Sequence, residues 1–209
     1  MKKLVAALLC GALVLSLCAC NKSDNASKDK SEVSEIVYFD GKSSVKVDGS
    51  AALDGLEKGE IPLQVEEDGD YVTVSLGMTA EQFLPLFGSG EEMQKLERKG
   101  FAEYLPVGGQ IFVGLETPSE GAVAIAQYGE VFQFTPTVTT KDQIKSIMGQ
   151  ADFEGDYSQV SSENLIYGSS DADCLMYKNG DNQLWFMFTS GGVFQSTVMC
   201  KAGKFIFNI

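Results

Sequence analysis

Histidine is absent from all 209 residues. That removes Ser-His-Asp and Cys-His catalysis, His-ligated zinc and the commonest general base together. Tryptophan occurs once, at Trp185. Beyond Cys20 the only cysteines are Cys174 and Cys200. Basic residues are scarce, 16 against 29 acidic ones, for a net charge of −13. An acidic chain is repelled by nucleic acid and by anionic lipid headgroups, so a nucleic-acid partner is not expected. The apolar run at residues 4–17 falls short of the roughly 20 residues that cross a bilayer as a helix.

What that run does fit is a signal-peptide core. Lys2 and Lys3 precede it, and only Cys10, Gly11 and Ser16 interrupt it. It closes on Leu17-Cys18-Ala19-Cys20, which resembles the lipobox of bacterial lipoproteins: an aliphatic residue, two small ones and the lipid-bearing Cys. Cys10 and Cys18 follow the bulky Leu9 and Leu17, which do not fit the small position before the cleaved bond. Lipidation of Cys20 is therefore expected, with residues 1–19 as the signal peptide. At about 0.8 kcal/mol per buried methylene, two or more acyl chains hold a protein far better than one. Residues 20–33 form a polar run of Asn, Ser, Asp and Lys that cannot bury enough apolar area to order itself. It reads as a flexible tether with a reach on the order of 20 Å. Without Lys2 and Lys3 the exported part has 14 basic and 29 acidic residues, a net charge of −15.

Strand signals dominate the rest. Alternating segments at residues 35–39 and 43–47 flank Asp40-Gly41, and residues 61–65 and 71–76 flank Asp68-Gly69. Residues 110–115 and 122–127 form a third hairpin. Residues 173–177, 183–188 and 193–199 form a meander, and 204–207 reads as a final strand. Helix signals are short. Thr79 caps AEQFLPLF before Gly88, Thr140 caps KDQIKSIM before Gly149, and residues 91–99 read as a charged helix.

The two capped helices align at a constant offset of 61 residues: Thr79, Glu81, Gln82, Phe83, Leu86 and Gly88 match Thr140, Asp142, Gln143, Ile144, Ile147 and Gly149. Strand-like stretches at 71–76 and 131–134 precede them. The expected fold is α+β and β-rich, two tandem units of a short helix packed on antiparallel sheet. The first unit, with its N-terminal hairpin, takes residues 34–134 and the second 135–209.

The stretch Val74-Ser75-Leu76-Gly77-Met78-Thr79-Ala80-Glu81-Gln82 is similar to the "GMT-x-x-Q" helix entry of the beta-lactamase inhibitor protein and of the small lipoprotein of the outer-membrane assembly machinery. Leu184-Trp185-Phe186, followed by Gly191-Gly192-Val193-Phe194-Gln195, resembles the last hairpin of the inhibitor's repeats. The second copy departs from the motif, with Thr137-Val138-Thr139-Thr140 in place of Gly-Met-Thr. The resemblance implies a helix-then-sheet unit used in tandem and a protein-binding scaffold, although fold likeness does not carry function.

Candidate sites follow from these patterns. In the meander Leu184, Phe186 and Phe188 point one way and Trp185 and Met187 the other. Two apolar faces need two covers, and the second is either the other unit or a partner. The partner reading makes Trp185, Met187 and Phe194 an exposed binding patch, aromatic clusters being enriched at binding hot spots. Cys174 falls opposite about Met187 and Cys200 opposite about Asn182, on non-adjacent strands at different heights. That separation disfavours a disulfide, which needs Cα atoms within roughly 7 Å, and favours buried thiols. The acidic turns at residues 66–70 and 171–173 lack calcium-loop spacing, and Gly88-Ser89-Gly90 lacks the Lys of a phosphate loop. No metal, cofactor or catalytic residue is expected. The functional expectation is a membrane-anchored extracytoplasmic lipoprotein, a non-catalytic module for a cell-envelope protein or peptide. Its rivals are a small-ligand-binding lipoprotein of a transport system and a hydrolase using carboxylates alone.

Overall fold

Asp48 starts the first helix. Its side chain accepts a hydrogen bond from the Ser50 amide at 2.9 Å, and α1 (Gly49–Lys58) runs to Gly59, where a φ of 71° ends it. This helix has no clear signature in the sequence, because Gly49 and Gly55 depress its propensity. Gly55 is required by packing: a Cβ there would sit 2.7 Å from the Glu60 carbonyl oxygen and 2.8 Å from the Phe132 ring. Ahead of the helix, β1 (Val33–Val37) pairs antiparallel with β2 (Ser44–Asp48). After it, β3 (Glu60–Gln64) pairs with β4 (Tyr71–Ser75). The computed structural model describes residues 33–37, 44–64, 71–87, 93–98, 101–106, 111–115, 119–134, 139–156 and 173–204. The turns expected at Asp40-Gly41 and Asp68-Gly69 lie outside them.

Two short helices then head two runs of strands. Thr79 enters α2 (Ala80–Phe83) and Thr140 enters α3 (Lys141–Met148). In each case a Gln three residues on reaches back to the Thr amide, Gln82 at 2.8 Å and Gln143 at 2.7 Å. Pro85, which has no N–H to continue the α-helical ladder, falls where α2 gives way to a 3₁₀ turn at Leu84–Phe87. The Gly-Met-Thr entry also docks α2 on the sheet. Gly77 has a φ of 93° and donates to the Ala122 carbonyl at 2.7 Å, while Met78 accepts from the Ala122 amide at 2.7 Å. The approach is so close that a Cβ on Gly121 would lie 2.0 Å from the Gly77 oxygen.

Following α2 come β5 (Met93–Arg98), β6 (Phe101–Pro106), β7 (Ile111–Leu115) and β8 (Ala122–Tyr128). Following α3 come β9 (Phe153–Asp156), β10 (Asp173–Asn179), β11 (Asn182–Phe188) and β12 (Phe194–Lys201). All eight join one antiparallel sheet in the order β5-β6-β7-β8-β12-β11-β10-β9. The order is symmetric about the β8–β12 seam, as two equal units of helix and four strands require. Each unit even carries one bulge at the same step. The register slips between Gly114 and Leu115, leaving Val123 over, and between Met187 and Phe188, leaving Gln195 over. Counted from those bulges, Ala126 corresponds to Val198, and these two face each other across the seam. The fold is thus α+β and β-rich, a short helix plus antiparallel sheet used twice.

Several local expectations are corrected. Residues 91–99 hold no helix among their described positions; Met93–Arg98 is a strand, paired residue for residue with Phe101–Pro106. Cross-strand pairing overrides the helix propensity of its Gln, Lys, Leu, Glu and Arg. Residues 131–134 form a tight turn closed by a Val131–Phe134 bridge, in which Phe132 and Gln133 take φ values of 52° and 67°. The strand β12 ends at Lys201, Lys204 is not in a strand, and residues 205–207 lie outside the described ones.

The main core lies between the sheet and the helices. It takes Leu56 of α1, Phe83 of α2, Ile144 and Ile147 of α3, and the sheet residues Val113, Ile125, Tyr177, Phe186, Phe188 and Met199. Although α1 precedes the first unit's α2, it packs against α3 and against β10 and β11 of the second unit.

Candidate functional site

The expected patch is not a surface. Trp185 is 2 % exposed, Met187 1 % and Phe194 1 %. Nor do the three share one side of the sheet. Trp185 and Met187 cluster with Ala124, Ala126, Cys174, Val198 and Cys200 on the face away from the helices. Phe194 sits on the helix face, its ring 5.7 Å from Phe188 and 6.2 Å from Phe186. The bulge at Gln195 is the cause. Strict alternation groups Phe194 with Val198 and Cys200, but one extra residue turns it over. The partner-binding assignment of Trp185, Met187 and Phe194 is therefore withdrawn. Among the described residues, the large apolar side chains that are exposed are Tyr71 of β4, Leu86 of the 3₁₀ turn and Val193 of the loop before β12, while Phe112, Phe153 and Met176 are partly buried beside the Trp185 cluster. Singly exposed apolar residues are ordinary on a protein surface.

The second face holds both thiols. Cys174 lies opposite Met187, as expected, whereas Cys200 lies opposite Gln183, one position from the expected Asn182. Both are free and buried. The Cys174 thiol donates to the Gly155 carbonyl at 3.3 Å, and the Trp185 indole N–H donates to Gln183 Oε1 at 3.2 Å. Burial, helped by the neighbouring Asp173 carboxylate, pushes the Cys174 thiol up to about 12. Burial also raises Cys200 well above the usual thiol range. A thiol that stays protonated is a poor nucleophile and a poor metal ligand, so both serve as small apolar residues.

The charged side chains that do converge hold α3 to the sheet edge. Lys141 pairs with Asp173 of β10 and lies 3.9 Å from Glu154 of β9. Lys145 reaches Glu154 at 3.0 Å and Asp142 at 3.1 Å. The hydrogen bond that Lys145 donates to Glu154, then that to Asp142, hold its ammonium above its ordinary value. Two carboxylates set for acid and base work need environments that drive them apart. Here Asp142, Glu154 and Asp173 share the ammonium groups of Lys141 and Lys145, the arrangement of a structural ion-pair network. Lys141, paired with Asp173, offsets the juxtaposition of Asp156 and Asp173, which are directly opposed across β9 and β10. Among the described residues no group of three His, Cys, Asp or Glu side chains could hold a metal.

Asn182, the first residue of β11, has a structural role that the sequence pattern does not signal. It is 8 % exposed, and its amide donates to the carbonyls of Leu56 at 3.0 Å and Glu57 at 3.2 Å, the end of α1. Its own oxygen accepts from the Lys201 ammonium at 2.7 Å. Only the distance in sequence between Asn182 and α1 hid this clamp. Cys20, the expected lipidation site, lies outside the described residues, and no helix among them is long and apolar enough to cross a membrane.

No family model matches the chain, and no curated protein matches it. Among solved structures it is similar to a DUF4309 family protein (YjgB) from Bacillus subtilis subsp. subtilis str. 168, with 17 % identity and a TM-score of 0.45, over 71 % of this chain and 91 % of that one.

Proposed function

We propose that this protein is a membrane-anchored extracytoplasmic lipoprotein whose folded part is a non-catalytic module for another envelope protein or peptide. The observation that carries the reading is the leader: Lys2-Lys3, a short apolar run and Leu17-Cys18-Ala19-Cys20. The polar run that follows it reaches to the first strand, which begins at Val33. Cys20 is the attachment point and residues 20–32 the spacer, Val33 at the end of the expected tether being the first residue of β1. The non-catalytic half of the reading is supported by the chain's lack of histidine and by the burial of both thiols, Cys174 and Cys200. With the aromatic side chains of the meander committed to the interior, contact falls to the polar exterior. That exterior suits a basic partner, because the exported part carries −15.

The test is made in cells. Wild-type protein is expected in the membrane fraction, released by detergent and labelled by a fed fatty acid; Cys20→Ala is expected to lose the fatty-acid label, whether it is found as a soluble form or as a larger, uncleaved precursor held by its signal peptide. Equal fatty-acid labelling of the variant, or wild-type protein without label, would remove the anchor. Crosslinking of the intact anchored protein then probes the module. A discrete adduct with a protein or peptide supports it, and hydrolytic turnover by the purified protein would contradict it.

A further inference from the structure

We draw no further inference here: the strongest candidate, the apolar second face of the eight-stranded sheet around Trp185, Met187 and Val198, is buried, and nothing among the described residues shows what covers it.

Discussion

Replacing Asn182 by Ala should loosen one helix before it loosens the sheet. The last carbonyls of a helix have no partners within it, and Asn182 supplies donors to two of them in α1, Leu56 and Glu57. The substitution also takes the acceptor from Lys201, whose ammonium lies 2.7 Å from Asn182 Oδ1. A buried acceptor left without a donor costs about 1–3 kcal/mol. Only the bond to Leu56 is fully buried, so water replaces part of the other two and the total should be about 2–3 kcal/mol. For a domain of this size each kcal/mol moves Tm by about 2–4 °C, which gives a drop of about 4–12 °C. Thermal unfolding followed by circular dichroism reads that drop. Hydrogen exchange reads its location, with the amides of residues 50–58 losing protection more than those of β8 and β12. A Tm change below about 2 °C, or a loss spread evenly over helix and sheet, would refute the clamp.

Other substitutions have a definite sign. Thr197 is fully buried and its hydroxyl has no hydrogen-bond partner among the described residues, so Thr197→Val, which keeps the branched shape, should raise stability by about 1 kcal/mol in urea titration; a decrease contradicts an unsatisfied hydroxyl. Gln133 is exposed at a φ of 67°, so Gln133→Gly should gain up to about 1 kcal/mol, while Gln133→Val should lose stability. At pH 8 neither Cys174 nor Cys200 should react with iodoacetamide until the protein is unfolded in urea, and rapid native labelling would show that they are accessible. The Cys174 thiol also fixes the sign of a pH effect: its folded value lies above the 9.0 of a free thiol, so its contribution is complete below about pH 9 and is lost as pH climbs toward 12. Urea midpoints under reducing conditions should fall across that window.

What was legible in the sequence was local. The Thr79 and Thr140 helix entries depend on residues three apart, and the hairpins on alternation around short turns, so each could be read in place. What was hidden needs distant atoms. The glycines of α1 look like helix breakers until Glu60 and Phe132 are seen against Gly55. Met93–Arg98 looks helical until Phe101–Pro106 is beside it. The candidate site failed for a similar reason: one bulge at Gln195 reverses Phe194, and the burial of Trp185 depends on tertiary packing. The lipobox is different in kind, because a peptide motif read by processing enzymes needs no fold.

The most direct test of the anchor is the intact mass of the N-terminal peptide from protein purified out of the membrane. A mature chain beginning at Cys20, heavier than its sequence by a diacylglyceryl group, with or without a further acyl chain, is the predicted result. An unmodified Cys20, or a membrane-purified chain that keeps residues 1–19, would contradict it.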